Sequence, residues 1–207
     1  MTEYPVHDFD PRCKGAKCNE CPLGPKGFLR EDEWAPVPAE IHEGATVLAV
    51  AESPGTDETR FGRPLVGRSG NEWNAGLIAS GKRRPDVDLT NTFLCQPPGQ
   101  PSGAFTRMTK RIDQENKSRA KKGMDPWASP VECCRPALLE LASKYDNVIT
   151  LGKIATSALT GRTQSIHATR GGPIGVDDTW YVDPQNVSRK IMPMLHPAFI
   201  LRSPGWR

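Results

Sequence analysis

Short apolar, β-branched runs alternate along the chain with stretches of helical period. Thr46 to Ala51 is the clearest run and reads as a buried strand. Glu52-Ser-Pro-Gly55 breaks it at once, and a second turn signal follows at Gly62-Arg-Pro64. A helix is predicted over 69–80, with the Ser69 hydroxyl as its cap and Glu72 three residues on. Asp88 to Leu94 is a second strand, ended by Cys95-Gln-Pro-Pro-Gly99, whose prolines forbid a central strand. Over 134–145, Ala137, Leu138, Leu141 and Ala142 make one apolar helical face, which reads as core. Strands are predicted at 147–152 and 190–195, with a shorter one at 180–182, and a short helix at 153–159 closed by Gly161. Gly171 to Gly175 is a turn cluster, and there is no internal repeat. Strands alternating with helices predict an α/β fold: a three-layer α/β/α sandwich on a central, mainly parallel four-stranded sheet.

Length and composition narrow the picture. At 207 residues the chain is expected to form a single domain, with an irregular N-terminal segment over 1–45 and a basic insertion over 100–130. Twenty prolines and nineteen glycines imply much turn and connection. No apolar run approaches a membrane span, and the start, Met-Thr-Glu-Tyr-Pro-Val-His, lacks the basic and apolar regions of a secretory signal. The expected location is cytoplasmic, the host cytoplasm if the chain is viral. The six cysteines then argue for metal or catalysis over disulfides.

The formal charge of +3 says little, but its distribution says more. Arg107, Lys110, Arg111, Lys117, Arg119, Lys121 and Lys122 outnumber Asp113, Glu115 and Asp125. Such a segment suits phosphate contacts, with Arg107, Lys110 and Arg111 the expected DNA-binding residues. The bland reading is a solvated helix-loop face.

Chemistry-bearing residues gather where strands end. Glu52, Ser53, Asn91, Gly152 and His196 each lie at or just past a predicted carboxyl end, where open α/β sheets place ligands. Singly, each has a bland reading: His196 as a satisfied core histidine, Asn91 as a turn cap, Glu58 as a solvated loop carboxylate. His42 and His167 are expected to be surface or structural. Cys18-Asn-Glu-Cys21 is a C-x-x-C unit that fits zinc, an iron–sulfur cluster or a redox dithiol; without a βαβ context the dithiol is disfavoured.

Taken in order, the pieces carry a resemblance. They are Cys18-x-x-Cys21-Pro-Leu; Glu52-Ser-Pro-Gly55 with Gly62-Arg-Pro-Leu-Val-Gly67; and Thr90-Asn91-x-x-x-Cys95-x-Pro-Pro. Cys134-x-Pro-x-Leu, Leu151-Gly152, and His196-Pro197 with Leu201-Arg202 complete the set. The pattern resembles the iron–sulfur uracil-DNA glycosylases, the family-4 branch of the uracil-DNA glycosylase superfamily. The resemblance implies hydrolysis of the N-glycosidic bond of deoxyuridine in DNA, releasing uracil and leaving an abasic site, as in base excision repair. Asn91 would pair with the uracil edge, and His196 would donate to O2 of the departing anion. Glu52 would lie near the sugar, and Glu58 beside the C5 edge. Leu65 and Ser53 would complete the pocket, and Arg202 would contact DNA. Cys18, Cys21, Cys95 and Cys134 would bind a 4Fe-4S cluster; four thiolates also suit tetrahedral zinc, but the resemblance favours iron. Cys13 and Cys133 are then spare, and the choice between Cys133 and Cys134 stays open.

The chain departs from the family at several points. Ala51 stands where the family has Gly, and Leu65 where it has a Phe that stacks on the base. The segment over 100–130 is longer than expected, and the chain ends at Arg207 where another helix is expected, as in a compact viral-type version or one domain of a larger polypeptide. Two alternatives are carried: a glycosylase or transferase acting on a modified pyrimidine, and a non-catalytic DNA-binding or polymerase-associated domain. The expected partner is uracil-containing DNA, single- or double-stranded, with a DNA polymerase or other replication protein as a candidate second partner. No membrane partner is expected, and the protein is expected to be a monomer.

Overall fold

Val47–Ala51 forms strand β1, in which Leu48, Ala49, Val50 and Ala51 are all almost completely buried. A run apolar at every position, not at every second one, suits a strand covered on both faces. The computed structural model of the protein describes residues 14–30, 33–99, 103–161, 174–175, 189–203 and 205. The expected strand at 180–182, residues 171–173 of the expected turn cluster at 171–175, Cys13 and His167 lie outside these residues, and the rest of that cluster, Ile174–Gly175, is a short strand.

Beside β1 lie β2 (Asp88–Asn91) and β3 (Asn147–Leu151), and β5 (Lys190–Met194) lies beyond β3, all four parallel. A two-residue strand, β4 (Ile174–Gly175), pairs antiparallel with β5, giving the order β2-β1-β3-β5-β4. The mainly parallel four-stranded sheet is therefore present with a short antiparallel edge. After β2 the chain crosses back over β1 to place β3 on its other side. That reversal of strand order opens a crevice at the carboxyl ends.

The six helices among the described residues are α1 (Thr56–Phe61), α2 (Arg68–Ala79), α3 (Ala104–Lys121), α4 (Pro130–Ala142), α5 (Lys153–Thr160) and α6 (Pro197–Arg202). Leu48, Val50, Val148 and Ile191 pack under Leu138 and Ala142 of α4 and Ala155, Ala158 and Leu159 of α5. Ala49, Ala51, Leu89 and Leu151 face the other way, against Leu65 and against Trp73 and Leu77 of α2. Alternate residues of β1 thus serve opposite layers, as the period of two requires. No helix among the described residues is long and apolar enough to cross a membrane.

Several boundaries differ from expectation. The cap of α2 is Gly67, not Ser69, and no side chain caps it. Helix α1 occupies what reads as loop; the Glu58 side chain accepts from the Gly55 amide, and Gly62 ends the helix in a left-handed conformation. Helix α4 starts four residues earlier than predicted, because Ser129 and Glu132 form a reciprocal capping box with Pro130 at the first position.

Gly70 shows how tightly α2 meets the preceding loop. A Cβ built there would stand 1.9 Å from the Leu65 carbonyl oxygen. Alanine in place of glycine within a helix normally gains about 1 kcal/mol. Here the loop must move, and overpacking of this kind costs about 1–3 kcal/mol. Gly70→Ala is therefore expected to lower the urea midpoint of unfolding; an equal or higher midpoint would show that the loop yields freely.

Candidate active site

Four loops leave the carboxyl ends of β1, β2, β3 and β5 and converge on one cleft of about 500 Å³. Glu52, Ser53, Glu58, Leu65, Asn91, His196 and Arg202 all line it. These seven residues come from segments far apart in sequence, and the parallel sheet brings them to one rim. The N-terminal turn of α3 closes the cleft with Ala104, Phe105 and Thr106. Gln96, Ser69 and Ile154 also line it; the first two lie in a strand-ending turn and at a predicted helix start, and none was expected at the site.

His196 caps α6. Its Nδ1 accepts from the Ala198 amide at 3.1 Å. An imidazole nitrogen that accepts carries no proton, so the neutral ring holds its proton on Nε2. Burial first, then the nearby Arg202 charge, push His196 down to about 4, against an opposing influence from Glu58. The ring is therefore a neutral donor through Nε2 at ordinary pH. Gly152 lies against it: a Cβ there would come within 3.3 Å of the His196 Cβ, and the glycine φ of +91° suits no other residue well.

Asn91 ends β2, opposite Ala51 in the ladder, and is 3% exposed. Its Nδ2 is buried without a hydrogen-bond partner. An orphaned amide donor at a cleft needs an explanation, because leaving it unpaired costs about 1–3 kcal/mol. Glu52 follows β1 and is half-buried; burial raises its carboxyl above the ordinary range, with the Arg202 charge pulling the other way.

Glu58 lines the same cleft, but its carboxylate works on the backbone. Oε1 accepts from the amides of Val66 and Gly67 at 3.0 and 2.9 Å, and Oε2 from Gly55 at 3.0 Å. Where the resemblance implies a group beside a base edge, the hydrogen bonds show a clamp that ties α1 to the Leu65 loop.

The basic segment is largely the exposed face of α3. Met108 and Ile112 are buried beneath it, and Arg107, Lys110 and Arg111 face outward. The Arg107 guanidinium lies over Gly99 and Gly103, both of which line the cleft.

On the far side of that loop the cysteines gather. Cys21, Cys133 and Cys134 belong to one buried cluster, against which Cys18 and Cys95 pack. The backbone binds the three segments together: Lys17 N donates to Cys133 O, and Val37 N to Leu94 O. The hydrogen bond between Cys21 and Cys133 pushes the Cys21 thiol up, helped by burial, and lowers that of Cys133. Burial pushes Cys134 up to about 12, and the Leu94 backbone acts against that rise. Among the described residues, no three His, Cys, Asp or Glu side chains are drawn closely enough to hold a single metal ion.

Similarity to known proteins follows the same segments. The profile of the Uracil DNA glycosylase superfamily matches residues 38–206. A type-4 uracil-DNA glycosylase of Thermotoga maritima is 28% identical over 190 residues, covering 90% of this chain and 79% of that protein. The type-4 enzyme of Pyrobaculum aerophilum is 28% identical over 194 residues, 92% of this chain and 82% of its own length. For that of Archaeoglobus fulgidus the values are 28% over 173 residues, 83% and 74%. The match reaches from the segment before β1 past the end of α6, through every loop that builds the cleft, and so the chain belongs to the uracil DNA glycosylase superfamily.

Proposed function

We propose that the protein is a uracil-DNA glycosylase that hydrolyses the bond between deoxyribose C1′ and uracil N1. The observation that carries this reading is the pairing of two vacant donors at one rim: the orphaned Nδ2 of Asn91 and the Nε2–H of a neutral His196. Uracil presents carbonyl oxygens to such donors. The base must leave the stack to enter the cleft. Asn91 reads its edge with an amide that offers both donor and acceptor. When the C1′–N1 bond breaks, both electrons leave with the base, and His196 Nε2–H stabilises the charge that develops on O2. A water molecule adds to the oxocarbenium-like sugar, and its proton passes to Glu52, whose raised carboxyl makes it a better base than an exposed glutamate. Ser53 stands beside Glu52 in the same loop and orients that water. Phe105 is the one phenyl, phenol or indole ring among the described lining residues, packed 6.1 Å from Phe93, and it offers a stacking face where Leu65 has none. Arg107, Lys110, Arg111 and Arg202 contact the phosphates on either side. We read the chain as one domain, in which the N-terminal segment belongs to the cysteine cluster and α3 to the DNA surface.

Cys18, Cys21, Cys95 and Cys134 fit a 4Fe-4S cluster. They come from three separate segments that meet in one core, and four thiolates suit either a four-iron cluster or tetrahedral zinc, between which the likeness to the type-4 enzymes favours iron. Buried thiolates need compensating positive charge, which iron supplies. Between the neighbours on α4, the backbone hydrogen bond linking Cys134 to Leu94, beside Cys95, favours Cys134. Its role is to pin the N-terminal segment to the β2 loop and α4, away from the reacting atoms. Cys134→Ser is expected to lose iron, read by metal analysis and absorption near 400 nm, whereas Cys133→Ser keeps it; the reverse result would move the ligand to Cys133, and zinc without iron in anaerobically prepared wild type would overturn the cluster.

The test of the activity is single-turnover release of uracil from an oligonucleotide, read by alkaline cleavage of the abasic site. His196→Ala is expected to slow the chemical step about 10²–10³-fold, and Asn91→Ala to impair both binding and rate. The wild-type rate is expected to show no histidine limb near pH 6.5. Because the folded His196 value is lowered, its neutral form is lost only as pH falls through about 4. An acid limb that survives His196→Ala belongs to Glu52. Undiminished release by His196→Ala would place the electrophile elsewhere.

A further inference from the structure

Leu65 adopts a backbone conformation usual for glycine. Its φ is +48°, the only positive value at a described non-glycine residue, in a region that residues with a side chain visit sparsely. Such a conformation persists only where its surroundings over-determine it. At Leu65 they do so from both sides. Arg84 Nη1 donates to the Leu65 carbonyl at 2.8 Å, and Nη2 donates to the carbonyl of Pro64. Glu58 holds the two amides that follow, those of Val66 and Gly67. The missing side chain of Gly70 leaves room for the Leu65 carbonyl to point where Arg84 can reach it.

Arg84 is itself held. Its Nε and Nη2 donate to the two oxygens of Glu40 at 2.9 and 2.8 Å, a bidentate pair in which both side chains are largely buried. Glu40 also receives Arg63 Nε and Nη2 at 3.2 and 2.9 Å, from the near end of the same loop. The Glu40 backbone exchanges hydrogen bonds with Leu89 of β2. A continuous chain of polar contacts thus runs from the sheet, through Glu40 and Arg84, to the peptide that carries Leu65. Leu65 is 5% exposed, belongs to the same buried cluster as Ala51 and Leu89, and lines the cleft together with Glu52 and Asn91.

We propose that Arg84, oriented by Glu40, is a positioning residue that sets the wall of the pyrimidine pocket by holding Leu65 in its left-handed conformation. The proposal rests on the reading of the cleft as a pyrimidine site. Lysine is the informative replacement: it keeps a cation for Glu40 but, as a point charge, cannot hold a carboxylate and two carbonyls in one plane. Arg84→Lys is expected to slow single-turnover release of uracil about 10–100-fold, the size of effect a misplaced wall produces. Its affinity for an oligonucleotide with an abasic site should stay at the wild-type value, and its preference for uracil over 5-hydroxymethyluracil should fall. Glycine takes a positive φ without help. In a Leu65→Gly background, therefore, the same Arg84→Lys change should add little further, which a double-mutant cycle measures. A wild-type rate for Arg84→Lys would show that the ion pair with Glu40 is all that matters and overturn the proposal. An equal loss in both backgrounds would also overturn it. Hydrogen exchange gives a readout independent of activity: the amides of Val66 and Gly67 should exchange faster in Arg84→Lys, and unchanged exchange overturns the clamp. If the wild type leaves uracil DNA intact, the pyrimidine reading fails while exchange still decides the clamp.

Discussion

One carboxylate organises the loop on which the cleft depends. Glu58 accepts from Gly55 at the start of α1 and from Val66 and Gly67 at the start of α2. Two short turns that would otherwise hold their own amides against water become one rigid hairpin of chain. Hydrogen bonds to a charged acceptor are roughly twice as strong as neutral ones, and three on one side chain leave little freedom in between. Leu65, next to two of those amides, takes its place in part from it. So does α2, whose first turn begins where Glu58 releases the backbone.

The parallel strands were legible because their signal is local. Val47 to Ala51 is a short apolar run stopped by Glu52-Ser-Pro-Gly55, and Asn147 to Leu151 is a β-branched run closed by Gly152, so each can be recognised without knowing its neighbours. The short helices were less so. Helix α1 carries Asp57, Glu58 and Arg60 and buries none of its residues, so it shows no apolar period to find. Its stability comes from Glu58 bonding to residues eight and nine positions away. The start of α4 was locally written in Ser129-Pro-Val-Glu132, but that capping box lies ahead of the apolar face from Ala137 to Ala142 that marks the helix by its period.

The candidate site divides the same way. Residue types that do chemistry at strand ends stand out, and Glu52, Asn91 and His196 meet as a parallel sheet demands. Glu58 was placed at the cleft, but what its oxygens bind depends on chain geometry that spacing does not reveal. Arg84 and Glu40 carried no signal at all. One lies in a polar stretch before β2 and the other before β1, and only the folded chain makes them partners. Cys133 and Cys134 show the limit most plainly: neighbours in sequence point in different directions from a helix, and which one faces the other cysteines is a matter of helix rotation.

Helix α2 packs against α6. The first follows directly from the Leu65 wall, and the second carries His196 at its cap and Arg202 at its last turn. The two sides of the cleft are therefore joined to each other, like the handles of a closed pair of tongs. Neither side can drift alone, so the gap between the leucine and the imidazole is a property of the scaffold and does not wait for a ligand to set it. Changes in side-chain volume where α2 meets α6 would reset that gap. Evolution can tune which bases are admitted through the packing of two helices, leaving the residues that read the base in place.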